Sequence, residues 1–147
     1  MTLFAAATFG AVSAIAADKP DFSGLWSLDE AKSDFGGAPQ KEGMKYRIDH
    51  KDPKLKVVIT SQGEDPSERV FNIGGEDLNK SSHGDVHSKS HWEGSVLVFD
   101  LKGKYDEYDY QTVEKWTLSP DGKILTITRE VSSSGGDISQ KYVFARS

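Results

Sequence analysis

The 147-residue sequence contains no cysteine, which excludes disulfide frameworks, thiolate nucleophiles and Cys-ligated metals. It has no apolar run of membrane-spanning length. The longest, Leu3 to Ile15, covers 13 residues, whereas a spanning helix needs roughly 20. There is no basic excess either: 18 Lys and Arg stand against 23 Asp and Glu, for a formal charge of −5. That balance argues against nucleic acid and anionic membrane as partners, since both need a basic face. The nucleophile elbow, the zinc-protease helix motif, the phosphate loop and the dinucleotide fingerprint are all missing, and no cofactor is implied. The chain does have aromatic residues, 10% of the total within a lean 36% hydrophobic content, too many for a disordered polymer.

The apolar stretch Leu3 to Ile15 runs into Ala14-Ile15-Ala16 at its end, the small–x–small pattern that signal peptidases read, and the polar Asp18-Lys19-Pro20 comes next. Residues 1–16 are therefore expected to be a signal peptide and 17–147 a single mature domain, periplasmic or secreted. A monomer is expected, without membrane insertion.

Turn signals punctuate the mature chain at Gly43, Asp52-Pro53, Gly63 to Pro66, Gly74-Gly75, Gly84-Asp85, Glu93-Gly94, Gly103, Ser119 to Gly122 and Ser132 to Asp137. Most intervals are nine to eleven residues, the spacing of short strands joined by tight turns. Between them the chain alternates. Met44, Tyr46, Ile48 and His50 share one face, with Lys45, Arg47, Asp49 and Lys51 on the other. The same period of two runs through Leu97, Phe99 and Leu101, and through Leu125, Ile127 and Arg129. Only Asp29 to Phe35 departs, where Asp29 could cap a short helix. The pattern predicts an all-β, up-and-down antiparallel barrel of about 8–10 strands with one short helical or irregular crossing after strand one. A β-sandwich is the alternative, because periodicity does not separate the two.

The opening strand reads Asp21-Phe22-Ser23-Gly24-Leu25-Trp26-Ser27-Leu28. Phe-x-Gly-x-Trp in this position resembles the first strand of the lipocalin and fatty-acid-binding-protein barrels, the calycin group. With Lys32-Ser33-Asp34-Phe35-Gly36 and the later Trp116-Thr-Leu-Ser-Pro-Asp-Gly, it also resembles small exported bacterial proteins described only as lipocalin-like. The resemblance implies that Gly24 lets the strand bend across the barrel end and that Trp26 plugs it. It further implies that Arg146, on the last strand, lies over the Trp26 ring as a cation–π pair. Fatty-acid-binding barrels hold a carboxylate with an Arg and a Tyr, and Arg129 with Tyr142 is a loose analogue.

His83, His87 and His91 are spaced by four, which on a helix would propose zinc. On a strand that spacing separates side chains by about 13 Å, too far for one ion, and no metal site is expected. The alternating run Tyr105 to Tyr110 lacks the Asp-x-Asp-x-Asp-Gly loop of a calcium site. Pairing Trp116 with Leu125 across the Ser119–Gly122 turn puts Arg129 diagonally beside Glu114 on the inner face. A buried Arg must be paired or bind an anion, and both readings stay open. The leading expectation is binding of a small apolar or amphipathic molecule inside the barrel. Tyr46, Trp92, Phe99 and Trp116 would line the site, with Arg129, Glu114, Tyr142 and Tyr110 as polar contacts. Two rivals are a ligand-free envelope or stress module, and an enzyme using Arg129, Glu114 and Tyr110 on a lipophilic substrate. No catalytic residue is assigned.

Overall fold

A computed structural model describes residues 19–81 and 83–147. The expected signal peptide and its cleavage pattern lie outside the described residues. Ten antiparallel strands follow one another: β1 (Gly24–Leu28), β2 (Lys45–Lys51), β3 (Lys54–Thr60), β4 (Ser67–Asn72), β5 (Glu76–Ser81), β6 (Gly84–Glu93), β7 (Val96–Tyr105), β8 (Tyr108–Leu118), β9 (Ile124–Ser133) and β10 (Gly136–Arg146). They form one sheet in the order β4-β3-β2-β1-β10-β9-β8-β7-β6-β5, a nearly closed up-and-down barrel. The sandwich alternative falls, because β1 pairs with both β2 and β10 within a single sheet.

The period of two becomes burial directly. In β2, Tyr46, Ile48 and His50 are buried while Lys45, Arg47, Asp49 and Lys51 are exposed. The core inside the barrel gathers Trp26, Phe99, Leu125, Ile127 and Phe144, all at 1% exposure or less, and full burial of such a side chain contributes about 1.5–3 kcal/mol. Asp29 does cap a helix, but only the single 3-10 turn Glu30–Lys32, its carboxylate accepting from Lys32 N at 3.3 Å.

Two details correct the sequence reading. Gly103 is not in a turn: β7 runs through it to Tyr105. The missing side chain makes room for the Tyr110 ring, whose hydroxyl would lie 2.8 Å from a Cβ placed there. The β8–β9 register also differs, pairing Trp116 with Ile127 and Glu114 with Arg129. Gly122 N donates to Ser119 O, and Ser119 N to Ile124 O, so Lys123 stays in the loop and the partners shift by two. A shift of two preserves the face, which is why Arg129 still points inward, now directly opposite Glu114.

Closure uses two different joints. At the first, Trp26 pairs with Arg146, and the guanidinium lies 4.2 Å from the ring centroid. Arg146 also donates to Ser23 O at 2.6 Å and Gly122 O at 3.1 Å, while Trp26 Nε1 donates to Phe22 O at 2.9 Å. Gly24 sits at φ +139°, and a Cβ there would overlap Arg146 Nη1, so this position needs glycine. Beyond Leu28 the crossing continues along β10: Asp34 and Lys141 exchange backbone bonds, and Val143 N donates to Ser33 Oγ. At the second joint, β4 and β5 share no backbone ladder among the described residues. Side chains bridge them instead. Asn79 accepts from Val70 N at 2.9 Å and donates to Val70 O at 3.0 Å. Asp77 accepts from Asn72 N and Nδ2 at 2.7 and 2.8 Å.

Replacing Arg146 tests the first joint. Arg146→Ala removes a partly exposed cation–π contact and two charge-assisted hydrogen bonds, an expected loss of about 1–3 kcal/mol in urea unfolding. Arg146→Lys should recover only part of it, because an ammonium cannot stack flat on the ring while reaching both carbonyls.

Candidate functional site

The barrel has two unlike ends. At one, where Arg146 closes on Trp26, the rings of Phe22, His50 and Trp92 lie within 6.0 Å of one another. Trp92 Nε1 donates to Asp52 Oδ1 at 3.0 Å. Partial burial works against the Asp52 charge, but Trp92, Lys19 and His50 together hold its carboxyl below the usual range. His50 Nδ1 accepts from Phe22 N at 3.2 Å, which places the neutral ring's proton on Nε2. Buried Nε2 has no hydrogen-bond partner among the described residues, with Asp52 Oδ1 at 3.7 Å. Trp92 thus belongs to the end plug and not to a central wall.

From the plug, aromatic contacts continue inward. Phe22 meets Trp116 edge-on at 5.7 Å, Trp116 reaches Phe99 at 5.0 Å and Tyr46 at 6.2 Å, and Tyr46 reaches Phe144 at 4.5 Å. Phe71 on β4 joins Phe99 at 4.6 Å. Further from the plug the lining turns polar. Arg129 Nε donates to Glu114 Oε1 at 2.9 Å, and its Nη1 donates to Gln140 Oε1 at 2.8 Å and to Tyr142 Oη at 3.1 Å. Trp116 Nε1 donates to Glu114 Oε2 at 3.2 Å, and Gln140 Nε2 donates to Phe35 O at 2.9 Å, tying the cluster to the crossing. Burial alone would weaken the hold of Arg129 on its proton. The Glu114 carboxylate beside it, with Tyr142 and Tyr46, reverses this and holds the guanidinium above even the ordinary arginine range.

Five of the expected site residues, Arg129, Glu114, Tyr142, Trp116 and Tyr46, thus meet in or against one cluster, and Phe99 packs on its Trp116. Tyr110 does not join it. It sits four residues beyond Glu114 on β8, about 13 Å along the strand, over Gly103 at the hairpin tip. There it lines an open depression of about 840 Å3 that runs over the rim to His83, His87, Lys102 and Lys104. A smaller one, about 330 Å3, lies on the outer face between Leu78, Lys89 and Asp100. His87 and His91 are exposed on that outer side.

Besides His50 Nε2, three further interior polar groups went unremarked in the sequence or lack partners among the described residues. Thr112 Oγ1 is fully buried without a hydrogen bond among the described residues. The Tyr46 hydroxyl, on a residue only 5% exposed, is in no hydrogen bond among them either. Arg69 was missed altogether, although Ser67, Arg69 and Phe71 alternate inward with Glu68, Val70 and Asn72 outward. The signal was there, masked by the short length and high polarity of β4.

Comparison with solved structures finds the same fold. The fatty acid transporter REP1-NXSQ superposes with a TM-score of 0.63 at 13% identity, over 86% of this chain and 96% of that one. A secretory abundant heat soluble protein of Ramazzottius varieornatus gives 0.67 at 14%, over 85% and 94%. The zebrafish ileal bile acid-binding protein with cholic acid gives 0.65 at 14%, over 86% and 98%. These structural neighbours are calycin barrels of the fatty-acid-binding type. No protein-family model and no curated protein sequence matches the chain.

Burial first, and the Glu114 carboxylate second, push the Tyr46 phenol well above the ordinary tyrosine range, against the pull of Arg129 and Arg69. Unfolded Tyr46 ionises near pH 10, whereas the folded phenol keeps its proton. Stability from this group is therefore full below about pH 10 and falls as pH rises beyond it. In Tyr46→Phe the alkaline fall in the urea midpoint should be shallower. A difference titration between the two proteins should show no phenolate from Tyr46 until well past pH 10.

Proposed function

We propose that the chain is a binding protein for a small apolar or amphipathic molecule held inside the barrel. The observation that carries the reading is the mixed lining. Aromatic walls lead to a polar cluster beside which, among the described residues, buried Thr112 Oγ1 lacks a partner and the hydroxyl of Tyr46, a residue only 5% exposed, makes no hydrogen bond. Buried polar groups are normally satisfied, and a bound polar head would satisfy these, while its tail gains roughly 25 cal/mol per Å2 of apolar surface removed from water. The neighbours named for fatty acid and cholic acid support the same class. The Leu3–Ile15 stretch with Ala14-Ile15-Ala16 supports export, so protein recovered from its own host should begin at Ala17 in N-terminal sequencing.

A ligand-free, filled barrel is the second reading, favoured by rings that already touch from Phe71 to Phe144. Native mass spectrometry of protein purified from its own host, with titration of tryptophan fluorescence by oleate and cholate, separates the two. Retained small-molecule mass, or saturable quenching through Trp116, is the expected result. Neither a retained mass nor saturation for any amphipath tried would leave the filled barrel as the function-bearing form.

A further inference from the structure

Two arginines face the barrel interior, and they are not equivalent. Arg129 is engaged by Glu114, Gln140 and Tyr142. Arg69 is not engaged: among the described residues it makes no hydrogen bond and no ion pair, although it is half-buried. Its strand position explains the orientation. It pairs with Val57, 1% exposed, while its neighbour Glu68 turns outward to Lys56 at 3.4 Å. In the ring of ten strands β4 lies five positions from β9 in either direction, so Arg69 stands across the lumen from Arg129. The register sets it near the buried Tyr46: Tyr46 on β2 pairs with Ile59 on β3 and Ile59 with Ser67 on β4, so Arg69 is the next inward position along β4.

The inward-facing carboxylates are already committed. Glu114 serves Arg129 and Trp116, and Asp77 is turned to Asn72 at the β4–β5 joint. Among the described residues the lumen therefore holds one guanidinium without a counter-charge, near a phenol that makes no hydrogen bond. A half-buried, unpaired guanidinium is unfavourable, and a planar carboxylate matches its donor fork. Resting on the ligand-binding reading above, we propose that the ligand is a monoanionic amphipath whose carboxylate docks on Arg69 and the Tyr46 hydroxyl, on the β2–β4 wall. Arg129 then belongs to the scaffold. Its bonds to Glu114, Gln140 and Tyr142 stiffen the opposite wall and tie it through Gln140 to Phe35.

The test compares oleate with oleyl alcohol, equal in chain and different in charge, by fluorescence titration of the full chain. Wild type should bind oleate at least tenfold more tightly. Arg69→Gln should weaken oleate by tenfold or more and oleyl alcohol by less than twofold. Arg69→Lys should keep most of the preference, and Tyr46→Phe should cost oleate severalfold. Thermal midpoints and far-UV spectra establish that each variant folds. If Arg69→Gln leaves the oleate-to-alcohol ratio unchanged, or weakens both alike, the assignment of the headgroup to Arg69 is overturned while ligand binding stands. If wild type binds neither lipid, ligand binding itself fails and the headgroup site with it.

Discussion

Ten strands laid side by side in chain order would leave β1 and β10 each with a row of unpaired N–H and C=O groups, and the whole architecture depends on how those rows are answered. Closure puts β1 between β2 and β10, and Trp26 under Arg146 makes that joint both apolar and ionic. The indole fills the barrel end while the guanidinium above it reaches Ser23 and Gly122. In a chain without disulfides this joint fastens the first strand to the last. The crossing after β1 extends it, because β1 has five residues and β10 eleven, and the surplus edge of β10 is met by Ser33 and Asp34.

With β1 and β10 paired, the edges of the sheet fall on β4 and β5, and these are answered differently. Between β4 and β5 the amide of Asn79 takes the part of a strand, giving Val70 both a donor and an acceptor, and the Asp77 carboxylate accepts from both Asn72 N and Nδ2. Side-chain bonds of this kind satisfy the backbone without a continuous ladder. The wall is therefore weaker here than at the other joint, with Val70 and Leu78 left exposed beside it. The same arrangement explains why Asp77, although on the inward-facing side, adds no free negative charge to the lumen.

Inside, closure sorts the polar residues into two groups. The Glu114–Arg129–Gln140–Tyr142 cluster satisfies itself on adjacent strands, and a network so satisfied rigidifies a wall. Tyr46, Thr112 and Arg69 come from strands where, among the described residues, their polar atoms make no side-chain hydrogen bond or ion pair. Contacts among neighbours in a sheet are set by register; contacts across the lumen are set by the curvature of the whole sheet. This division separates a structural ion pair from the interior polar groups on which the proposed headgroup site rests.

Much of this was legible in the residues themselves. Strand number, the period of two, the crossing after β1, and the shared face of Glu114, Trp116 and Arg129 all follow from local sterics and from the pleat. The β8–β9 register was not, because a turn of Ser-Pro-Asp-Gly-Lys permits more than one closing pair. Nor was the isolation of Tyr110, since a shared face says nothing about height along the barrel. Arg69 was hidden because its meaning lies in what does not reach it. Sequence by itself determined which side chains point inward, since alternation is a property of each strand. Only the tertiary structure decided which of them are satisfied, since that depends on pairing distant strands, and charges are matched in space and not along the chain.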